Sequence, residues 1–402
     1  MLAPVGASRH GAHTQAPRGE LAAVRTVFSH STIRSFLILD ILVELGPPSV
    51  RMPVSAKGLC MSLRVNIKPS NRSFTLDEGE TVLQGAMRNG IVLPYGCRNG
   101  ACGACKGRIL EGAVDYGQYA AHILTDFEKK SGFALFCQAK PLTDVTIEAR
   151  EIGAAGELQI KKLPCRVQRI ERPSSDVAVL YLTLPANERL QFLAGQYLEI
   201  IMRDGKRRAY SMASPPDDDV HIELHVRNMA GGAFTEYVFE RMKERDILRF
   251  EGPLGTFFLR EDSLKPIIFV VSGTGFAPIK SIIEHAFHVG VTRQMVLYWG
   301  GRRKSEIYML DLPLRWQQEH GNFSFVPVLS ESPPEEAWTG RTGFVHRAVM
   351  EDFPDMSGYQ VYACGAPVMV EAAHKDFTSI CRLPEDEFYS DAFTPSDGAK
   401  LG

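Results

Sequence analysis

The chain has 402 residues, 45% of them hydrophobic, with 45 Lys+Arg against 47 Asp+Glu and a formal net charge of −2. That length predicts two to three domains with enough apolar material for several cores, and the near balance of charge excludes nucleic acid as the main partner, because phosphate binding needs concentrated Lys and Arg. No apolar run approaches the roughly 18–20 residues that span a bilayer, so no membrane span is expected, and eight cysteines in so long a chain do not make a small disulfide-stapled protein.

Residues 1–60 carry six Lys/Arg against three acids and are rich in Ala, Gly, Pro and His at the start. Their best apolar stretch, 36–43, is short, contains Asp40 and is followed by no small-residue cleavage site, so a signal peptide is not expected. A transit peptide fits the basic, acid-poor composition. The plainer expectation is a disordered extension or a start at Met52 or Met61, because orderly patterning begins at Met61.

From there residues 62–68 alternate as a strand, 73–76 follow as a second strand, and 81–89 read as a helix with Val82, Leu83, Ala86 and Met87 on one face. Next come Cys97, Cys102 and Cys105 at C-x4-C-x2-C spacing, with a distant Cys137, which is the pattern of a [2Fe–2S] cluster. Four thiolates must converge on two irons, and Gly96, Gly100 and Gly103 free the loop to turn its N–H groups toward the sulfurs. A zinc ribbon prefers paired C-x2-C knuckles, of which only one is present, and a redox disulfide is the other alternative. Cys60, Cys165 and Cys381 show no ligand spacing. With 144–147 as a closing strand, residues 61–150 resemble a plant-type ferredoxin, a β-grasp sheet with one helix.

Residues 151–157 are small and uncommitted, and 151–162 are expected to be a linker. Short β segments then recur at 165–170, 177–184, 197–202 and 220–226, which predicts an antiparallel β-barrel over 163–262. It carries Arg208-Ala-Tyr210-Ser211, where Arg suits a phosphate, Tyr can stack on a flat ring and Ser can bond ring or ribityl oxygens. It also carries His225-Val226-Arg227, then Gly231-Gly232-Ala-Phe234-Thr235, a glycine pair opening a helix where an anion could sit. Glu251-Gly-Pro-Leu-Gly-Thr-Phe257 could be purely structural. In this order the motifs resemble the flavin domain of the ferredoxin–NADP reductase superfamily. That resemblance implies that Arg208, Tyr210 and Ser211 contact the flavin and its phosphate. It further implies that His225, Val226, Arg227, Gly232, Phe234 and Thr235 contribute to the cofactor site, with FAD the expected flavin and FMN the alternative.

Residues 266–271 form an apolar run typical of a buried parallel strand, followed by Gly273-Thr274-Gly275-Phe-Ala-Pro278 and an amphipathic helix, 279–288. Strands at 295–299, 323–329 and 360–363 continue the alternation, so 263–385 are expected to be a doubly wound α/β domain. The glycine turn departs from G-x-G-x-x-G but resembles the G-T-G-x-A-P form of the same superfamily. That resemblance places Cys364-Gly365-Ala-Pro367 beside the nicotinamide, with Cys364 positioning the ring and not acting as a covalent nucleophile. Arg302 and Arg303 fall where relatives meet the second nucleotide. A 2′-phosphate would favour them, yet the Gly-Gly-Arg pattern resembles NADH-using relatives, so NADH is expected and NADPH is the alternative. In the tail, 386–402, Phe393 is the aromatic that the resemblance brings to the flavin. Tyr210, Ser211, Cys364 and Phe393 are thus the candidate transfer-site residues.

The order ferredoxin, flavin barrel, nicotinamide domain has a physical reason. A nicotinamide gives two electrons together as a hydride, a [2Fe–2S] cluster takes one at a time, and a flavin between them does both. Two families share the layout: reductase components of bacterial oxygenases, and the CDP-6-deoxy-Δ3,4-glucoseen reductases of 3,6-dideoxysugar biosynthesis. The 225–235, 251–257 and 388–394 blocks look most like the second, which implies an NAD(P)H oxidoreductase feeding a pyridoxamine-phosphate CDP-sugar dehydratase in the cytoplasm. An oxygenase is the other acceptor, and a non-catalytic redox sensor is the reading from a different class.

Overall fold

The computed structural model describes residues 62–153, 158–218 and 221–394. The expectations for residues 1–60, for 154–157 of the linker, for Val220 and for 395–402 of the tail lie outside the described residues.

The first body opens with β1 (Leu63–Lys68) and β2 (Ser73–Leu76), paired antiparallel. Alternation sends Val65 and Ile67 inward, and Phe74 and Leu76 face them, so one side of the hairpin is core. The helix Val82–Arg88 starts at a capping box, in which the Thr81 hydroxyl accepts from Gln84 N and the Gln84 side chain accepts from Thr81 N. Then follow β3 (Lys106–Glu111), β4 (Val114–Asp115), β5 (Phe133–Leu135), β6 (Lys140–Pro141) and β7 (Val145–Glu148). The sheet order is β2-β1-β7-β3-β5, with β1 and β7 parallel at its centre and β4-β6 apart. This is the expected β-grasp.

The linker is shorter than expected. Glu151 is held by Ser70 and Arg72, and Ile152 donates to Val92 O, so the start of the segment belongs to the first body. At the other end β8 (Lys161–Glu171) takes Lys161 and Lys162 into the barrel. With β9 (Val177–Thr183), β10 (Tyr197–Ile201), β11 (Arg207–Ser211), β12 (Ile222–Arg227) and β13 (Ile247–Leu254) it forms the order β11-β10-β13-β8-β9-β12. Every adjacent pair is antiparallel, and a Met212–Leu224 bridge brings the two edges together. Leu180, Leu182, Leu198, Leu224, Val226 and Phe250 fill the interior.

The third body is an all-parallel sheet, β17-β16-β15-β14-β18-β19. Its strands are β14 (Ile267–Ser272), β15 (Met295–Gly301), β16 (Phe323–Leu329), β17 (Arg341–Thr342), β18 (Gln360–Gly365) and β19 (Phe388–Ala392). β14 is buried on both faces: Phe269 and Val271 pack under one helical layer, Ile268 and Val270 under the other. The chain runs outward from β14 through β15 to β16 and returns on the far side at β18. The crevice between β14 and β18 is therefore the topological switch point, where such sheets bind ligands. One expectation is corrected here. Residues 388–392, set apart as tail, are the edge strand β19, in register with β18 from Val361↔Phe388 to Gly365↔Ala392. The strand is short and buries only Ala392 fully, so its pattern was too weak to read.

Candidate functional site

The loop between the first helix and β3 carries three of the four expected ligands. Arg98, Gly100 and Gly103 there have φ of 58°, 81° and 75°, the left-handed turns that bend backbone amides inward. A side chain at Gly100 would place its Cβ 2.6 Å from Gln118 O, so the tight path needs glycine. The four thiols come as two pairs, Cys97 with Cys102 and Cys105 with Cys137, each linked by a thiol–thiol hydrogen bond. Cys97 is pulled below its ordinary range by the Cys102 bond, and further by the N–H groups of Asn99, Ala101 and Cys102. Cys137 is lowered by the Cys105 bond, with the Gln138 side chain and Gly100 N–H adding to it. Among the described residues no three His, Cys, Asp or Glu side chains gather closely enough for one metal ion. Four cysteines brought to one loop and the turn beside it, with backbone N–H groups aimed at their sulfurs, fit a binuclear cluster.

This loop is seated on the barrel. The Thr256 hydroxyl accepts from Tyr95 N at 2.9 Å and donates to Tyr95 O at 2.9 Å. Gly255 N donates to the Tyr95 hydroxyl at 3.0 Å, and Tyr197 OH donates to Gly96 O at 2.9 Å. Gly255 has φ 93°, and a Cβ there would strike the Tyr197 ring at 2.8 Å. The 251–257 turn, which sequence reading left as possibly structural, is thus the landing for the cluster loop.

Beside it lies the flavin candidate. On β11 the Ser211 side chain is buried, Tyr210 sits 5.2 Å from the Phe234 ring, and Arg208 donates to Arg207 O at 2.9 Å. Thr235 Oγ1 binds Met229 O at 3.1 Å and Gly232 O at 2.9 Å, which fixes the glycine turn. A Cβ on Gly232 would come within 2.6 Å of Thr235 Oγ1, so this cradle stays open only to glycine. These groups fit a flavin nucleotide. Alternation on β12 divides the H-V-R motif: the Val226 side chain is in the barrel core, whereas His225 and Arg227 face out. His225, expected at the cofactor, has both ring nitrogens engaged, with Tyr308 OH at 2.6 Å and Glu223 Oε1 at 2.7 Å. It is a seam residue between barrel and third body. Arg227 is held by Asp176 at 2.9 Å and lies 3.0 Å from where a Gly273 Cβ would stand, so barrel and glycine turn meet there.

At the switch point two turns touch. Gly273–Gly275 form one 3₁₀ turn leading into the helix Phe276–His288, with Pro278 buried in its first turn. A Cβ on Gly275 would lie 2.3 Å from Cys364 O, and one on Gly365 would lie 2.4 Å from Ser272 O. Ala366 N donates to Ser272 Oγ at 2.9 Å, and Pro367 opens the helix Pro367–Ser379. This narrow glycine-lined crevice with Thr274 beside it fits a dinucleotide. Cys364 is fully buried and burial pushes its thiol well up, which keeps it protonated. Phe393 N donates to Gly365 O at 2.8 Å, so the expected aromatic is tied to the Cys364 turn. Arg302 stands at the end of β15, paired with Glu306.

Sequence reading missed Asp391. β19 places it opposite Cys364, with Oδ2 3.5 Å from Ser211 Oγ, and burial followed by the nearby Cys97 pushes its carboxyl up to about 7. Ser211, Cys364 and Asp391 thus stand together on the side of the barrel where the cluster loop lands. The only signal was a single acid between aromatics in 388–393.

The described residues contain no helix long and apolar enough to cross a membrane. Residues 65–142 match the 2Fe-2S iron-sulfur cluster binding domain family, 164–259 the oxidoreductase FAD-binding domain family and 269–375 the oxidoreductase NAD-binding domain family. The chain is 41% identical over 336 residues to the CDP-6-deoxy-L-threo-D-glycero-4-hexulose-3-dehydrase reductase of Yersinia pseudotuberculosis, covering 84% of this chain and 100% of that one. It is 33% identical to the phenol 2-monooxygenase reductase component DmpP of Pseudomonas sp., covering 84% and 97%. Among solved structures, the Amycolatopsis cytochrome P450 reductase GcoB superposes with a TM-score of 0.67 at 34% identity, covering 83% of this chain and 99% of that one. The chain belongs to this family of ferredoxin-type reductases, as an NAD(P)H-dependent oxidoreductase that carries FAD and a [2Fe–2S] cluster and passes electrons from the nicotinamide through both to a partner enzyme.

Proposed function

We propose that the partner is a pyridoxamine-phosphate-dependent CDP-6-deoxyhexulose 3-dehydratase and that this chain is its reductase. The observation that carries the reading is the 41% identity along the full length of the Yersinia reductase, against 33% for the phenol-system reductase. A nucleotide-sugar acceptor also makes the cytoplasm the compartment this reading requires.

Within it, Cys97, Cys102, Cys105 and Cys137 hold the cluster. Arg208, Tyr210, Ser211, Gly232, Phe234 and Thr235 form the flavin site, with the main chain at Val226 and the guanidinium of Arg227. Gly273, Thr274, Gly275 and Pro278 cradle the nicotinamide dinucleotide with Cys364, Gly365 and Pro367, and Arg302 marks its far end. When bound, the three groups supply a two-electron donor, a carrier able to part with electrons singly and a one-electron outlet. The chain's own residues bind, orient and exclude water. Cys364 stays a neutral thiol and fills space beside Ser211 and Asp391, Phe393 caps the crevice, and Asp391 fixes the rotamer of Ser211. NADH is the expected donor, because Glu306 already neutralises Arg302.

The test is an anaerobic coupled assay with NADH and a CDP-sugar dehydratase loaded with CDP-4-keto-6-deoxyglucose, the 3-deoxy product being followed by chromatography. Product formation is expected. Bleaching of both cofactors without product, followed by turnover with an oxygenase, would transfer the assignment to an oxygenase system.

A further inference from the structure

The cluster loop contains one residue whose backbone and side chain are at odds unless the side chain has work elsewhere. Arg98 adopts φ 58°, a conformation that glycine fills at Gly100 and Gly103 in the same loop. Its guanidinium reaches out of the first body to Glu199 on β10, with Nη2 2.5 Å from Oε1. Arg98 is 26% exposed and Glu199 12%, so the pair is shielded from solvent more than an ordinary surface bridge.

Glu199 is held in place from its own side as well. Its Oε2 accepts from Arg207 at 3.0 Å, Arg207 bonds Glu251 at 3.0 Å, and Lys162 lies 3.3 Å from Glu251. This row of alternating charges on the barrel aims Glu199 at the ferredoxin body. On the other side, Arg98 O accepts from Gln138 Nε2 at 3.3 Å, and that nitrogen also lies 3.8 Å from Cys137 Sγ. The backbone of Arg98 is thus tied to the turn that carries Cys137, while its guanidinium is left for the barrel.

We propose that Arg98 and Glu199 are a positioning pair, an interdomain clamp that sets where the cluster loop sits on the flavin barrel. The proposal rests on the assignment of Cys97 as a cluster ligand. The neutral bonds around Tyr95 and Thr256 make the seat, and the ion pair fixes its outer edge and orientation.

The experiment uses the full holoprotein under anaerobic conditions, with Glu199→Gln and Arg98→Gln as test variants and Arg98→Lys as the conservative one. Arg207→Gln is the control, since it removes the other partner of Glu199 and leaves the cross-body contact. Amide hydrogen exchange is read at Tyr95, Gly255 and Thr256. The NADH-driven bleaching of flavin and the later reduction of the cluster are read separately by stopped flow. The two test variants should exchange about tenfold or more faster at these amides, the size of effect that follows from breaking a half-buried charge pair. Cluster reduction should slow by a similar factor, while flavin bleaching and the EPR spectrum of the dithionite-reduced cluster stay as in wild type. Arg98→Lys should recover part of the loss, and Arg207→Gln, which loosens Glu199 but keeps its contact with Arg98, should fall short of both test variants in each readout. Wild-type exchange and wild-type cluster reduction in both test variants would overturn the clamp. A wild-type protein with no reduced-cluster EPR signal would overturn the ligand assignment and the clamp with it.

Discussion

Arg302, proposed to mark the far end of the dinucleotide, has its guanidinium occupied by Glu306, with Nε at 2.9 Å and Nη2 at 2.8 Å, and Glu306 takes the Arg302 backbone N–H at 3.1 Å as well. A phosphate arriving there must displace a charge-assisted, two-point contact and face the released carboxylate. Glu306→Gln should therefore shift the NADH-to-NADPH ratio of kcat/KM toward NADPH by about tenfold, ~1.4 kcal/mol of discrimination. Initial rates of flavin reduction with each donor check it, and an unchanged ratio would remove Glu306 from the selection. The same turn shows what a sequence does not reveal at this scale. The four cysteines were legible because metal geometry imposes spacing on neighbouring residues. Glu306 and Asp391 were not, because their partners are defined only once a turn or an edge strand has formed. Cys364 is completely buried, so the role proposed for it is one of filling space.

β12 carries two messages on one strand. Leu224 and Val226 build the barrel interior, while Glu223 and His225 point to the third body. Read as a motif, H-V-R suggested a cofactor contact. Read with period two, it assigns His225 to the opposite face from Val226, and the seam follows. There Lys280, from the helix Phe276–His288, bonds Glu223 at 3.0 Å and Glu284 at 2.9 Å, and Tyr308 donates to the remaining nitrogen of His225. Burial holds His225 below its ordinary 6.5, only partly opposed by Glu223. Burial works against the Glu223 carboxylate too, but His225 and Lys280 outweigh it and hold Glu223 down at about 2. Both groups bind fewer protons folded than unfolded, so both stabilise the seam at neutral pH and lose that contribution as pH falls, His225 from 6.5 downward and Glu223 from 4.5 toward 2. The melting temperature of wild type should exceed that of His225→Gln by a margin that narrows between pH 7.5 and 5.5; parallel curves would mean that His225 is not held neutral. Tyr308→Phe, which leaves a buried ring nitrogen without its donor, should cost about 1–3 kcal/mol at pH 7.5.

At the scale of the molecule, the order of the three bodies was legible because each announces itself by local chemistry: cysteine spacing, a run of barrel motifs, a glycine turn after an apolar strand. How the bodies meet was not, since the contacts join residues 101 and 161 positions apart with no periodicity to mark them. Sequence reading joined the first body to the barrel by a linker and named no contact between them. The structure seats the first body, and Thr256 is the centre of the seat, 7% exposed and bonded through one hydroxyl to both the N–H and the carbonyl of Tyr95. Thr256→Val keeps the shape and removes both bonds, stranding a buried N–H at a cost of about 1–3 kcal/mol. Because the lost bonds join two bodies and lie within neither core, the penalty falls on docking more than on folding. The variant should keep its iron, its flavin and its rate of flavin bleaching by NADH, yet pass electrons to the cluster more slowly and melt in two steps where wild type melts in one. Thr256→Ser, which restores the hydroxyl, should recover most of the cluster-reduction rate. Calorimetry and stopped-flow absorbance on the same preparations decide it. If Thr256→Val reduces its cluster as fast as wild type, the linker alone suffices to bring cluster and flavin together, and the seat serves stability only.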